Sequence, residues 1–403
     1  NRENIINKKR DWYSDQLIHS FWDTALQLCK DGELKPNFIN KLRSIIKCLL
    51  FLDLGKKLIN SGVSQAYLGH TVYFNRTLLA YFRKKNIKIF TQAMFNLHKQ
   101  YRNRDNSWLT VSKKKLMVIK KKVNLKDINL YFNKRNKGKG NYLDANVASS
   151  IKIKKNSINN FNVIFLNVFR DSPFNVLDRK RIFTDYFDWI IKTLIIIKES
   201  KELWILRMHP RCPRWGENQI QILNSILKKI FGNNIPKNII IDKGNFSNTY
   251  LINKASRILT FNGSVQLETA CLGKKSIVIM SNISEIDKNL NFNPKNFNEY
   301  KKLILLNKKK FRKKSLLSNN KIILSRYLLF FKENLHYSKQ DIGGVEIYRG
   351  DSDLVRKNNF NGIEEKLSKN QNFFKRLGNY LKQGGTHTMS SKYLKFFENK
   401  IYH

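Results

Sequence analysis

The sequence predicts an α/β protein whose second half is a doubly wound parallel sheet. Between Phe161 and Met280, short apolar runs alternate with amphipathic stretches of helical length, a βαβ regularity that implies right-handed crossovers. Phe161 to Val168 is a near-continuous apolar run of strand length, as a central parallel strand covered on both faces requires. From Trp204 to Gly273 the order strand, polar loop, helix recurs three times, and each loop falls where a parallel sheet presents its carboxyl edge.

Taken in order, Trp12 to Lys30 and Asn37 to Leu58 carry apolar residues at helical spacing, with Gly32 and Pro36 breaking between them. Ala66 to His70 reads as a short strand ending in a polar loop, Val72 to Lys84 as a helix, and Ile87 to Thr91 as the next strand, which makes one βαβ unit. Residues 99–155 are rich in Lys and Asn and read as a helical, partly mobile connection. After the strand that starts at Phe161 come the loop FRDSPFNVLDRKR, a helix from about Thr184 to Glu199, and a strand from Leu203 to Met208. The helix Glu217 to Phe231 stops at Gly232, which suits a left-handed C-cap. Asn238 to Ile241, Arg257 to Phe261 and Ser276 to Met280 complete five strands. Asn293 to Tyr300 leads into another helix, Lys321 to Glu333 is helical and aromatic, Gly343 to Gly362 is a polar linker, and the last forty residues are basic and amphipathic. The expected organisation is therefore residues 1–155, 156–335, and a linker with a basic tail over 336–403. The chain opens at Asn1 in a charged helical stretch, which reads as an N-terminal truncation of the first domain.

Composition bounds the function classes. With 403 residues and 41% hydrophobic content, the chain can bury two cores. Its formal net charge is +46, yet Lys is scattered with Asn and Ile along the whole length, so composition bias explains the charge better than a dedicated nucleic-acid surface does. Such a field still attracts nucleotide phosphates and the anionic inner leaflet of a membrane. Cys29, Cys48, Cys212 and Cys271 form no CxxC pair and no regular framework, which reads as reduced cytosolic thiols. No apolar run reaches the length of a membrane helix, because Lys192 and Lys198 interrupt the greasiest one, and no signal peptide opens the chain. The expectation is a cytoplasmic protein, soluble or peripheral at the inner face of the plasma membrane.

The chemistry-bearing residues collect at the expected carboxyl edge. Gly263 allows a tight turn, and the helix beginning near Ser264 turns unpaired N–H groups toward an anion. His209, beside Pro210 at a neighbouring strand end, can donate an imidazole N–H, and Glu268, one turn into the helix, can accept from ribose or sugar hydroxyls. Ser264 equally suits a plain helix cap, and Glu268 a solvated first-turn carboxylate. Asp171, His209, Ser264 and Ser281 all follow strands of one sheet, and His70 follows a strand of the first domain. Asp171 precedes Ser172 and Pro173 and can project a fixed carboxylate as base or nucleophile, or simply close a turn; Asp178 and Asp185 lie farther from the strand end.

The strings NVFRDSPF…FDWIIKTLIIIKESKELWILRMHP, NIIIDKGNFSNTYLINKASRILTFNGSVQLETACLGKKSIVI and FNPKNFNEYKKLI, in that order, resemble the bacterial capsule polysaccharide biosynthesis family over roughly residues 15–335. Its proteins are similar to the Kdo and sialic acid transferases that share a His-Pro motif and a GT-B fold. The resemblance implies a GT-B-like arrangement, two Rossmann-like domains facing across a cleft, and a metal-independent, cofactor-free transfer of sugar from a nucleotide donor, CMP-Kdo-like favoured, to a growing capsular or surface polysaccharide or a glycolipid. It points to His209, Asn262, Gly263 and Ser264 for donor binding and to Asp171 as base or nucleophile; Arg207, Pro210 and Glu268 are counted with the donor residues on their position at the same edge, and His70, across the cleft, is the next candidate for catalysis. Where many relatives carry a carboxylate soon after His-Pro, this chain has Arg211-Cys212-Pro213-Arg214, and the loop after Met280 lacks a glycine near a lysine, so the sugar stays open. Asp351-Ser352-Asp353 matches a metal-binding DxD string but sits in the linker with no sheet around it. Two other classes remain open: an epimerase of nucleotide sugars on the same scaffold, and a non-catalytic basic protein that binds nucleic acid. No specific nucleic-acid partner is expected.

Overall fold

Residues 161–165 are buried without exception, and the rest of the second sheet is built around them. The computed structural model describes residues 11–29, 33–68, 72–93, 96–100, 123–138, 160–171, 182–198, 200–210, 212, 217–281, 286–334, 340–342 and 345–347. The first part holds helices α1 (Trp12–Gln27) and α2 (Phe38–Asn60), strand β1 (Gln65–Leu68), helix α3 (Asn75–Lys84) and strands β2 (Lys88–Ala93) and β3 (Asn96–Gln100), followed by helix α4 (Leu125–Asn136). The second part runs β4 (Phe161–Phe165), α5 (Tyr186–Lys198), β5 (Leu203–Arg207), α6 (Gln219–Phe231), β6 (Ile239–Asp242), α7 (Asn248–Lys254), β7 (Ile258–Thr260), α8 (Val265–Cys271) and β8 (Ile277–Val278). Helices α9 (Phe297–Leu305), α10 (Lys308–Ser315) and α11 (Asn319–Asn334) and a hairpin of β9 (Gln340–Ile342) and β10 (Val345–Ile347) complete the described chain.

The five-stranded sheet has the order β6-β5-β4-β7-β8, and every neighbouring pair is parallel. Alternate side chains of β4 serve opposite faces: Phe161, Val163 and Phe165 pack with Ile205, Ile258 and the α7 residues Leu251 and Ile252. Ile164 joins Leu206, Leu259, Phe261 and the apolar sides of α5 and α6. Helices thus cover both faces, as an apolar central strand demands. The order reverses between β4 and β7, which sets the switch point where such sheets take ligands.

The first sheet departs from expectation. Its β1-α3-β2 unit is present with β1 and β2 parallel, but β3 returns antiparallel in a stretch that the Lys- and Asn-rich sequence did not mark as a strand. Among the described residues it is a three-stranded mixed sheet, not a second doubly wound one. Helix α4 lies within the expected connection but packs Ile128 and Phe132 on Leu267 and Cys271 of α8 and on Leu328 of α11. The hairpin β9-β10 likewise overlaps the start of the expected linker. Gly232 ends α6 with φ +66° and ψ −137°, a conformation open to glycine but not the left-handed helical one anticipated. All four cysteines are buried and none forms a disulfide. Among the described residues, no helix is long and apolar enough to cross a membrane.

Candidate functional site at the sheet switch point

Because β4, β5, β7 and β8 are parallel, their following loops share one edge, and four side chains join those loops into a row. Gln219, at the head of α6, accepts the backbone N–H of His209 at 2.8 Å and donates to the carbonyl of Asn167 at 2.8 Å. It therefore ties the loop after β5 to the loop after β4. Asn167 in turn donates to Oδ1 of Asn262 at 2.8 Å across the switch point, and the Tyr186 hydroxyl donates to the same oxygen at 3.1 Å. Gln266 continues the row, donating to the carbonyl of Gly263 at 3.1 Å and accepting from the Ser281 hydroxyl at 2.7 Å. At the centre, Oδ1 of Asn167 is buried and has no hydrogen-bond partner among the described residues. Buried polar atoms are rarely left so, and this one lies where a ligand would enter.

Glu217 is a second organiser. Its carboxylate is buried and accepts the backbone N–H groups of Phe169 at 3.1 Å and Arg170 at 3.0 Å, and Cys212 donates to it at 3.6 Å. Burial raises its pKa more than those bonds lower it. The loop that carries Asp171 is thereby fixed from the segment just before α6, some fifty residues along the chain.

Asp171 lies exposed in that loop and accepts the Tyr73 hydroxyl at 2.8 Å. Tyr73 comes from the turn before α3, so this bond connects the first part of the chain to the sheet edge. Its backbone φ is +53°, a region an aromatic L-residue seldom occupies, and its ring is buried. Burial first, then the Asp171 charge, drive the phenol pKa far up, so Tyr73 stays a donor. Behind it Arg76 of α3 pairs with Asp23 of α1 at 3.1 Å, both fully buried.

The predicted donor residues divide. His209 and Pro210 lie partly exposed in the turn after β5, and burial, with a smaller contribution from the Arg207 charge, pushes the His209 imidazole down to about 4. It is neutral at pH 7, so it offers a single N–H. Asn262, Gly263 and Ser264 stand together at the start of α8, whose N-terminus carries no side-chain cap. Gly263 is not in a positive-φ turn; a Cβ there would meet Thr260 Oγ1 at 3.2 Å, so close packing on its own strand explains the glycine. The Ser264 hydroxyl donates to Glu268 at 3.2 Å.

Two expectations are corrected. Glu268 is not a sugar-facing acceptor: it is buried, pairs with Arg135 of α4 at 3.1 Å and accepts from Asn248 at 3.3 Å, so both oxygens are taken by protein donors. Burial raises its pKa, but Arg135 and the hydrogen bonds outweigh that, and the net shift is downward. Arg207 is also committed, to Asp242 of β6 at 2.9 Å with both side chains buried. Asp185 is buried and accepts the N–H of Asp188 at 2.7 Å, a role at the start of α5. His70, Asp178, Arg211, Pro213, Arg214 and the Asp351-Ser352-Asp353 string lie outside the described residues. The organisers Asn167, Glu217, Gln219, Tyr73 and Tyr186 escaped sequence reading because their partners are distant in the chain.

No protein-family model and no curated protein matches the chain. It is similar in structure to Thermosulfurimonas dismutans KpsC, a beta Kdo 2,4 transferase, with 12% sequence identity and a TM-score of 0.38 over 66% of this chain and 78% of that one. The edge brings together the start of α8, a neutral imidazole, side-chain amides, and an exposed carboxylate held by a tyrosine.

Proposed function

We propose that the chain is a glycosyltransferase that moves a sugar from an activated nucleotide donor, CMP-Kdo-like favoured, to a growing capsular or surface polysaccharide or a glycolipid. The observation that carries this is the hydrogen-bonded row of Gln219, Asn167, Asn262 and Gln266 across the switch point, which ends beside His209 on one side and α8 on the other. Motif order along the sequence supports the same class. The donor phosphate sits against the start of α8 and receives the His209 N–H, while the amides of Asn167 and Asn262 take hydroxyls or the base. The first part of the chain supplies the opposite wall of a GT-B-like cleft through Tyr73. No metal is needed in this scheme, because oriented N–H groups balance the leaving phosphate.

Asp171 takes the proton from the acceptor hydroxyl as that oxygen attacks the anomeric carbon; the bond from anomeric carbon to phosphate oxygen breaks, and its electron pair leaves with the nucleotide. If Asp171 instead attacks the anomeric carbon itself, the bond to the phosphate oxygen breaks and the nucleotide leaves with its electron pair as a sugar ester forms on the protein. The acceptor oxygen later displaces the Asp171 carboxylate, and its proton passes to that carboxylate or to water. The test is Asp171→Asn. It should bind donor as wild type does in calorimetry yet lose turnover by about 10²-fold, the usual scale for a general base. Intact mass of the wild type with donor alone distinguishes the two routes. Turnover near the wild-type rate in Asp171→Asn would rule out both.

A further inference from the structure

Helix α2 is inside out over its first four turns. The residues turned inward are Asn40, Ser44 and Cys48, small or polar and buried, with the Ser44 hydroxyl donating to the carbonyl of Phe21 of α1 at 2.6 Å. The residues turned away are Phe38, Ile39, Leu42, Ile45, Ile46, Leu49 and Leu50, and they are between 43% and 77% exposed. At 100° per residue these seven form one continuous stripe along the helix. Scattered surface leucines need no explanation, but a contiguous stripe of this kind marks an interaction surface.

The flanks say what covers it. Lys41 borders the stripe on one side, packed over Trp22, and Arg43 and Lys47 border it on the other, Lys47 over Phe74. No Asp or Glu occurs between Glu33 and Asp53. An apolar stripe edged by cations on both sides is the pattern of a helix lying in the interface of an anionic bilayer, with its apolar face among the acyl chains and its cations at the headgroups. A second copy would bring the same cations face to face on a chain of net charge +46. We propose that the outer face of α2 is a membrane-docking surface for anionic lipid, with the helix lying on the bilayer and not crossing it. This stands independently of the sugar-transfer chemistry at the sheet edge.

The test uses the full chain and vesicles of phosphatidylcholine with or without phosphatidylglycerol, at physiological ionic strength so that diffuse attraction is screened. Ile45→Gln with Leu49→Gln leaves the net charge unchanged and touches exposed positions. Flotation should show wild type preferring the phosphatidylglycerol vesicles, and the double variant binding them at least about ten-fold more weakly. Leu305→Gln with Leu316→Gln, equally exposed but on α9 and beyond α10, should bind as wild type. Equal vesicle binding by wild type and the α2 variant overturns the proposal. So does a lipid-free dimer that the α2 variant converts to monomer, since a second copy would then be the occupant. A lower melting temperature of the lipid-free α2 variant also overturns it, because the chain itself would then be covering the stripe.

Discussion

His209 and Tyr73 show how single residues near the sheet edge are tuned, in opposite directions, to the same end. Burial keeps His209 neutral down to about 4, against its usual 6.5, so the unfolded chain binds a proton that the folded chain refuses. The sign follows: this residue's contribution is complete above about 6.5 and is lost as pH falls toward about 4, amounting to at most about 3 kcal/mol. Urea unfolding of wild type and His209→Gln at several pH values should converge toward acid, and parallel curves would exclude the shift. His209→Ala should also weaken donor binding by about ten-fold, the worth of one hydrogen bond to a charged phosphate, with the fold retained. Tyr73 is kept protonated by its burial and by the Asp171 charge, so its hydroxyl remains a donor to Asp171. If Asp171 is the base, Tyr73→Phe should reduce turnover by about ten-fold and leave donor affinity unchanged. A change in donor affinity alone would make Tyr73 a binding residue and not one that positions the carboxylate.

At the scale of elements, α8 is held less by its own seven residues than by α4 and α11, which close over it. The Arg135–Glu268 pair lies at that junction with both side chains buried, and a buried pair is most costly when only one member is removed. Arg135→Leu should therefore destabilise the protein by about 3–5 kcal/mol in urea, and adding Glu268→Leu should restore part of that loss. Additive losses would mean the two side chains do not depend on each other. The sequence offers a reason why this junction was missed while the sheet was read. β4, β5 and β7 announce themselves as apolar runs, and parallel order alone puts their loops on one edge. Glu268 looks like any first-turn carboxylate until Arg135, 133 residues earlier, is brought against it. β3 and α4 lie in Lys- and Asn-rich sequence whose weak periodicity gives no local signal, and they are specified by tertiary contacts. Gln219 and Glu217 were hidden for the same reason, since both act on a loop about fifty residues away.

At the scale of the whole molecule, the charge of +46 sets every encounter with an anion, and it provides the means of separating sugar transfer from polynucleotide binding. A nucleotide sugar presents one or two phosphates to a single helix start and one imidazole, so few counterions leave on binding. A polynucleotide on a broad basic surface releases many. Affinity for a CMP-sugar should accordingly fall by less than about ten-fold between 50 and 200 mM salt, whereas a protein with six to ten phosphate contacts loses about 10³–10⁵ over that range. The cognate donor at about 100 times its Kd adds about 2.7 kcal/mol, which should raise the melting temperature of a chain this long by about 3 °C, and UDP- and GDP-sugars at equal concentration identify the base by comparison. If the donor contacts lie on the five-stranded sheet as proposed, the rise should survive Asp171→Asn and be lost in His209→Ala at limiting donor. A melting temperature insensitive to every nucleotide sugar, together with steeply salt-dependent polynucleotide binding, would make the basic surface and not the switch point the working part of this protein.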